Sequence, residues 1–324
     1  MNGIIDRCVR FLKDWTLPVA MSAGVIGCLI LMWVPELHGL RPVAKSVGST
    51  LTPWLIFFQL LLTFCKVDPK ELVPRKWHWI ILAFQLLTSS GIAALIICLP
   101  LIHSERLILE GAMVCLICPT ATAAAVVTAK LGGSASTLTT YTLLSNLLAA
   151  IVVPLMFPLV EPKESLGFWN AFLIILSKVL PLLIAPFVVA MLMRWMMKPV
   201  HRLLAENSHL AFYLWGMGLC IVMGQTTHSL IVSSAPLATI LMLSLAGLVT
   251  CAVQFAFGKW LGGRYRDVIS AGQALGQKNT ILAIWMAVTY LSPACSLAPG
   301  SYVIWQNAFN SWQLARKRKP INNI

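Results

Sequence analysis

The sequence predicts an all-α integral membrane protein of about ten transmembrane helices, and three observations predict it. Of 324 residues, 58% are apolar and only 11% charged, against roughly 25% charged in an average soluble domain. Runs such as "LPVAMSAGVIGCLILMWVP" and "LEGAMVCLICPTATAAAVVTA" are almost free of charge, and about 20 such residues cross a ~30 Å hydrocarbon layer at a rise of about 1.5 Å each. The third observation is where the basic residues fall. A net charge of +13 would suit a nucleic-acid binder, but the basic residues are scattered over short loops and form no stripe with interleaved aromatics.

Taken in chain order, spans are expected near 17–35, 47–65, 77–101, 107–129, 135–160, 179–198, 209–225, 236–258, 268–291 and 297–315. Met1 to Trp15 carries Arg7, Arg10 and Lys13, and no small-residue cleavage site follows the first apolar run, so the first span is expected to stay in the mature protein. With the N-terminus in the cytoplasm, the inside positions are Arg7, Arg10, Lys13, Lys66, Lys70, Arg75, Lys76, Lys130, Arg194, Lys198, Arg202, Lys259, Arg264, Arg266 and Arg316 to Lys319, 18 of the 24 basic residues. Arg41, Lys45, Arg106, Lys163 and Lys178, the last at the edge of a span, fall outside. The positive-inside rule converts this bias into a multi-pass protein of the cell membrane with both termini cytoplasmic. Losing one span would put later basic loops on the wrong side.

A weak internal repeat accompanies the bias. "LPVAMSAGVIGCLILMWVP" at 17–35 is similar to "LPLLIAPFVVAMLMRWMMKP" at 180–199, dividing the chain into units 1–160 and 161–324 of five spans each. An odd number of spans inverts the second unit, the plan common among secondary transporters.

Asp6, Asp14, Glu36, Asp68, Glu71, Glu105, Glu110, Glu161, Glu164, Glu206 and Asp267 all fall in loops or near span ends. With no carboxylate expected at mid-membrane, intramembrane aspartyl proteases, carboxylate proton relays and cation carriers with a carboxylate ligand are disfavoured. The six histidines show no paired-ligand spacing, and the nine cysteines lie mostly in apolar runs, where Cys behaves as a small hydrophobe. Cys115 and Cys118 have CxxC spacing but no second pair, which reads as coincidence. The 12 Trp and five Tyr suit core and interfacial positions. No catalytic residues, metal site or cofactor are expected.

The fourth and ninth spans are interrupted at matching places in the two units: "CPTATAAAVVT" (118–128) and "GQALGQKNT" (272–280). Polar backbone freed within lipid is costly unless protein or a water-filled cavity receives it. For Pro119, Thr120 and Thr122 the plain alternative is a kinked helix. Lys278 stands about ten residues from either end of its span, hence ~15 Å deep, too far to snorkel. An intramembrane ionisable group is functional by default, the alternative being a lysine packed onto helix carbonyls. Gln85 and Gln254 are also mid-span polar groups at comparable places, where interhelical hydrogen bonding is the commoner use.

Three segments carry a family resemblance. "CPTATAAAVVTAKLGG", "GQALGQKNT" with "ILAIW", and "YVIWQNAFNSW" resemble the bile acid:sodium symporter family, in its bacterial branch, along nearly the whole chain. The resemblance implies a panel of spans 1, 2, 6 and 7, a core of spans 3–5 and 8–10, and discontinuous fourth and ninth spans crossing beside the substrate. It also implies transport of organic anions such as bile acids, other carboxylates or sulfonates, drawn in by two sodium ions. Pro119, Thr120, Thr122, Gln277, Lys278, Asn279, Thr280 and Asn307 are the implied substrate-binding residues, and Gln85, Thr142 and Gln273 the remnants of ion sites.

The departures from the family pattern concentrate on the sodium ligands. Ala124 and Ala125 stand where Ser and Asn are usual, Ala274 where a Glu is usual, and Lys278 where a Gln is usual. A hard cation needs several oxygens, so ordinary two-sodium coupling is not expected. Proton coupling through Lys278, or facilitation without an ion, takes its place; sodium symport through backbone ligands is the remaining variant. The expected function is secondary transport of a small organic anion by alternating access, with no nucleic-acid partner and no oligomeric state indicated. A non-transporting membrane sensor or scaffold on the same fold is the alternative.

Overall fold

A computed structural model describes residues 16–162, 166–207, 210–232 and 235–318. Arg7, Arg10, Lys13, Lys163 and Lys319, with Asp6, Asp14 and Glu164, lie outside the described residues. The described chain is helical throughout: α1 (Thr16–Trp33), α2 (Arg41–Cys65), α3 (Lys76–Cys98), α4 (His103–Ile117), α5 (Ala124–Leu131), α6 (Ala135–Val160) and α7 (Gly167–Met196) are followed by α8 (Lys198–Glu206), α9 (Leu210–Val232), α10 (Leu237–Arg264), α11 (Val268–Gly276), α12 (Thr280–Tyr290) and α13 (Leu297–Arg318).

Six of these helices are individually long and apolar enough to cross a membrane: α2 with its leading 3-10 turn, α3, α6, α7, α9 and α10. The chain is a multi-pass membrane protein. The others fall short for physical reasons. Val34 and Pro35 stop α1 after a short apolar run. Gln306, Asn307 and Asn310 dilute the apolar content of α13. The paths of α4–α5 and α11–α12 are each cut in two.

Several boundaries differ from expectation. The second span, expected from 47, starts at Arg41, because that charge has a task. Its Nε donates to Leu31 O at 2.9 Å and its guanidinium also reaches Met32 O, closing the end of α1. The sixth span, expected from 179, starts at Gly167, so Lys178 sits within a helix, not at its edge. The run "FWNAFLIILS" before it is apolar enough to continue the turn despite Asn170 and Ser177. The short helix α8, absent from the sequence reading, is amphipathic and has no fully buried residue. Pro154 and Pro158 in α6, and Pro181 and Pro186 in α7, stay inside helices, as neighbouring helices permit in a membrane.

The helices α1, α2, α7 and α9 form one connected group and α3, α4, α6, α10, α11 and α13 another, and the two are joined by extensive packing of α6 along α7. The half-helix α12 lies between them, against α9, α2 and α4. Close approach needs small residues where lipid offers no hydrophobic drive for association. A Cβ on Gly258 of α10 would stand 2.5 Å from Ala271 O of α11. The turn from α5 into α6 is equally tight. Gly132 closes α5 at φ 87°, Gly133 N donates to Thr128 O at 2.9 Å, and Ser134 Oγ caps α6 by accepting from Thr137 N at 3.3 Å. The φ of Gly132 is one that an L side chain resists, so α5 is folded back along α6.

Candidate functional site

Two helix breaks form the centre of the molecule, and each has a local cause. Pro119 has no N–H to continue α4 and drives the preceding Cys118 out of helical geometry, to φ −56° and ψ 134°. Past Gly276, Gln277 is extended, and Asn279 restarts the chain as α12, its Oδ1 accepting from Leu282 N at 3.3 Å. The two breaks run antiparallel and bridge at Thr120 and Lys278. Ala121 N donates to Gln277 O and Asn279 N to Pro119 O, both at 2.9 Å. The Cys118 thiol donates to Asn279 O at 2.9 Å. Backbone that lipid would leave bare is thus received by backbone from the other break.

An α-helix leaves its last carbonyls without intrahelical donors, and here they end in the protein interior. At the end of α4, Gln254 Nε2 donates to Cys115 O at 3.3 Å, Lys278 Nζ to Leu116 O at 3.2 Å, and Gln85 Nε2 to Ile117 O at 2.7 Å and Cys118 O at 3.2 Å. A cation there meets the negative end of the helix dipole, an interaction of up to ~2 kcal/mol in partly buried geometry. Lys278 is 1% exposed, and among the described residues no carboxylate pairs with it. At the end of α11, Tyr302 Oη donates to Gly276 O at 2.8 Å and Thr120 Oγ1 to Ala274 O at 2.6 Å. Two Gln–Tyr pairs support these ends: Tyr141 Oη donates to Gln85 Oε1 at 3.0 Å, and Gln254 Nε2 to Tyr302 Oη at 3.1 Å.

Of the residues singled out in the sequence, Pro119, Thr120, Gln277, Lys278 and Asn279 meet in the bridge, with Thr122 and Thr280 buried beside it. Gln277 Oε1 and Thr280 Oγ1 are buried without a hydrogen-bond partner. Gln85 holds the end of α4. Thr142 is buried on α6, its hydroxyl turned back to Leu138 O at 3.0 Å. Gln273 Nε2 donates to Asn310 Oδ1 at 2.9 Å. Ala124 and Ala274 are fully buried, and Ala125 half-buried.

Asn307 does not join this assembly. It is half-buried, and its Nδ2 donates to Val303 O of its own helix at 2.7 Å. Its neighbour Gln306 reaches the break instead, Oε1 accepting from Lys278 N at 2.9 Å, while Asn310 meets Gln273. Positions 306 and 310 are one turn apart on the face toward α11; 307 is rotated by about 100° from it. Sequence reasoning also passed over Ser145, whose Oγ accepts from Thr120 N at 3.2 Å, and Asn146, fully buried with neither amide atom partnered. The Ser–Asn pair inside "LTTYTLLSNLL" was the available signal. Cys115 and Cys118, whose CxxC spacing reads as coincidence, are both free thiols, and only Cys118 bonds across the breaks.

At the other end of α4, Glu110 was expected near a span end but not as a buried charge. Arg106 Nε donates to its Oε1 at 3.1 Å, Arg106 Nη2 reaches Glu161 Oε2 at 3.1 Å, and the same guanidinium contacts Val160 O. Beside it Lys178, Glu161, Phe157 and Tyr290 line a cavity of about 140 Å³.

The model of the SBF-like CPA transporter family matches residues 42–308, which bears out the resemblance to the bile acid:sodium symporters. No curated protein matches the chain.

Proposed function

The chain belongs to the SBF-like CPA transporter family, and from that premise we propose that it carries a small organic anion by alternating access without ordinary two-sodium coupling. The observation that carries the proposal is Lys278 Nζ on Leu116 O at the carboxyl end of α4. A fixed amine occupies a position where helix carbonyls would otherwise favour a bound cation. Sodium fits these side chains poorly. Ala124, Ala125 and Ala274 present methyl groups, and Gln85 Oε1 already accepts from Tyr141. The remaining donors of Lys278 suit a carboxylate or sulfonate, with Gln277 and Thr280 its neighbours along the break.

The ten-pass, inverted-repeat plan belongs to the same proposal, with units 1–160 and 161–324, a panel of α1, α2, α7 and α9, and the other passes as core. The matching Gln85–Tyr141 and Gln254–Tyr302 pairs, each beside a broken helix, support it. The charge bias of the loops supports cytoplasmic termini; labelling from outside of a Cys placed at Arg264 in intact cells would sink that topology.

The test of function is a thermal-shift screen of the purified protein against organic anions, in sodium and in choline, followed by uptake into vesicles. Binding-linked stabilisation by an anion in both salts, with saturable uptake of it, is expected. A ligand that binds but never crosses would make the protein a sensor, and sodium-dependent stabilisation would restore a symporter using backbone ligands.

A further inference from the structure

We propose that the adjoining ends of α10 and α13 bind the headgroup of an anionic phospholipid, and that this site touches the broken helix α11. Two cations from different helices share one indole. Lys259 Nζ of α10 lies 5.7 Å from the ring centroid of Trp312 on α13, and Arg316 Cζ, one turn further along α13, lies 4.4 Å from the same ring. Arg264 Cζ stands 4.1 Å over Trp260, again one turn away on α10. Trp312 is 48% exposed and Trp260 54%, so both platforms face outward.

No carboxylate forms an ion pair with Lys259, Arg264 or Arg316 among the described residues. Like charges gathered on one ring repel, and an anion bound between them relieves the repulsion. A phosphate has the charge and the acceptor oxygens for an ammonium and a guanidinium together. The source is a lipid because an apolar track on α10 leads away from the Trp260 and Arg264 side of the site. Leu241, Leu245, Val249 and Val253 lie exposed at four-residue spacing on α10, one stripe of the helix, where acyl chains would lie. Indoles with basic side chains at helix ends are the interfacial pattern. The convergence of two helices on one ring turns that pattern into a site.

The link to α11 is steric. A Cβ on Gly272 would stand 2.6 Å from Lys259 Cγ, so the lysine stem lies directly on the backbone of α11, one turn before Gly276 ends it. A headgroup that holds Lys259 in place also holds α11.

The experiment is a thermal-melt and native mass-spectrometry titration of the detergent-purified protein with phosphatidylglycerol, with phosphatidylcholine of the same acyl chains, and with inorganic phosphate. Phosphatidylglycerol alone should raise the melting midpoint and give retained one-lipid adducts. The double variant Lys259→Gln/Arg316→Gln should keep its lipid-free midpoint and lose about tenfold or more in apparent affinity for phosphatidylglycerol. The exposed single variant Arg316→Gln, with a smaller loss, serves if the double variant does not fold. Equal stabilisation by the two lipids, equal stabilisation by inorganic phosphate, or undiminished phosphatidylglycerol affinity in the variants would each overturn the proposal.

Discussion

The two helix breaks face each other and share backbone hydrogen bonds, yet they are finished differently. The carboxyl end of α4 takes side-chain donors from α3, α10 and the opposite break, through Gln85, Gln254 and Lys278. The carboxyl end of α11 takes two hydroxyls, from Tyr302 and Thr120. At the amino ends the asymmetry reverses. Asn279 caps α12, whereas Ala123, at the cap position before α5, offers no side-chain cap. One break is closed by amides and an amine, the other by neutral hydroxyls. A pair of similar backbones has become polarised, with the amine on one side and uncapped N–H groups of α5 on the other, both of which suit an anion.

The sharpest way to break this comparison is Lys278→Gln, which restores the residue type usual in the resembled family and removes the charge. The variant should stay folded and bind its anion about tenfold or more weakly, ~1.4 kcal/mol or above, by calorimetry or thermal shift on folded protein. Unchanged affinity and uptake would reduce Lys278 to a packing lysine. Next is Gln85→Leu, which strips donors from Ile117 O and Cys118 O and an acceptor from Tyr141 Oη. Orphaning buried polar groups costs ~1–3 kcal/mol each in water-soluble proteins, although interhelical bonds in membranes average nearer ~0.6 kcal/mol. A loss of about 2 kcal/mol is expected in a denaturation series, larger than for any single hydroxyl at the other break.

Tyr302→Phe sharpens the same contrast from the other side. It removes one donor from Gly276 O and one acceptor from Gln254 while keeping the ring, and about 1 kcal/mol should suffice. A cost equal to or above that of Gln85→Leu would show that the α11 end depends on its hydroxyl as heavily as the α4 end depends on its amide. The smallest effect concerns sodium. Exchanging it for potassium or choline should change anion affinity by less than about tenfold, since the expected side-chain oxygens are alanine methyls. A larger, saturable sodium effect would mean that carbonyls at the breaks hold the ion.

Much of this was legible in the residues because the membrane imposes strong rules. Long apolar runs located the six helices long and apolar enough to cross a membrane, and the polarity of Gln277 to Thr280 located a break that lipid would not tolerate. What was not legible is what requires rotation or distance. Asn307 carries the motif signal, but a helix turns by about 100° per residue, and the sequence does not say which of Gln306, Asn307 and Asn310 faces inward. Gln85 finds Tyr141, and Gln254 finds Tyr302, through tertiary packing with no local signature. Glu110 was legible as a residue near an end, but its burial depends on Arg106 and on the arrival of Glu161 from another helix. Asn146 was hidden in a run of threonines and leucines, where a single amide resembles interhelical glue.

The backbone bridge between Thr120 and Lys278 has a mechanical consequence. Each break taken alone would be a hinge, because a chain interrupted at proline or glycine can swivel. Stitched together by two main-chain bonds and a thiol, the hinges cancel. Turning α5 or α12 about its own break would have to tear main-chain bonds between buried groups, which is costly where lipid and apolar side chains surround them. Displacement is cheaper where α12 rests on α2 and α9, for example where Ile281 meets Gly218, because apolar side chains slide there without losing a hydrogen bond. The crossing is therefore the stiff part of the protein, and its freedom of movement lies along its boundary.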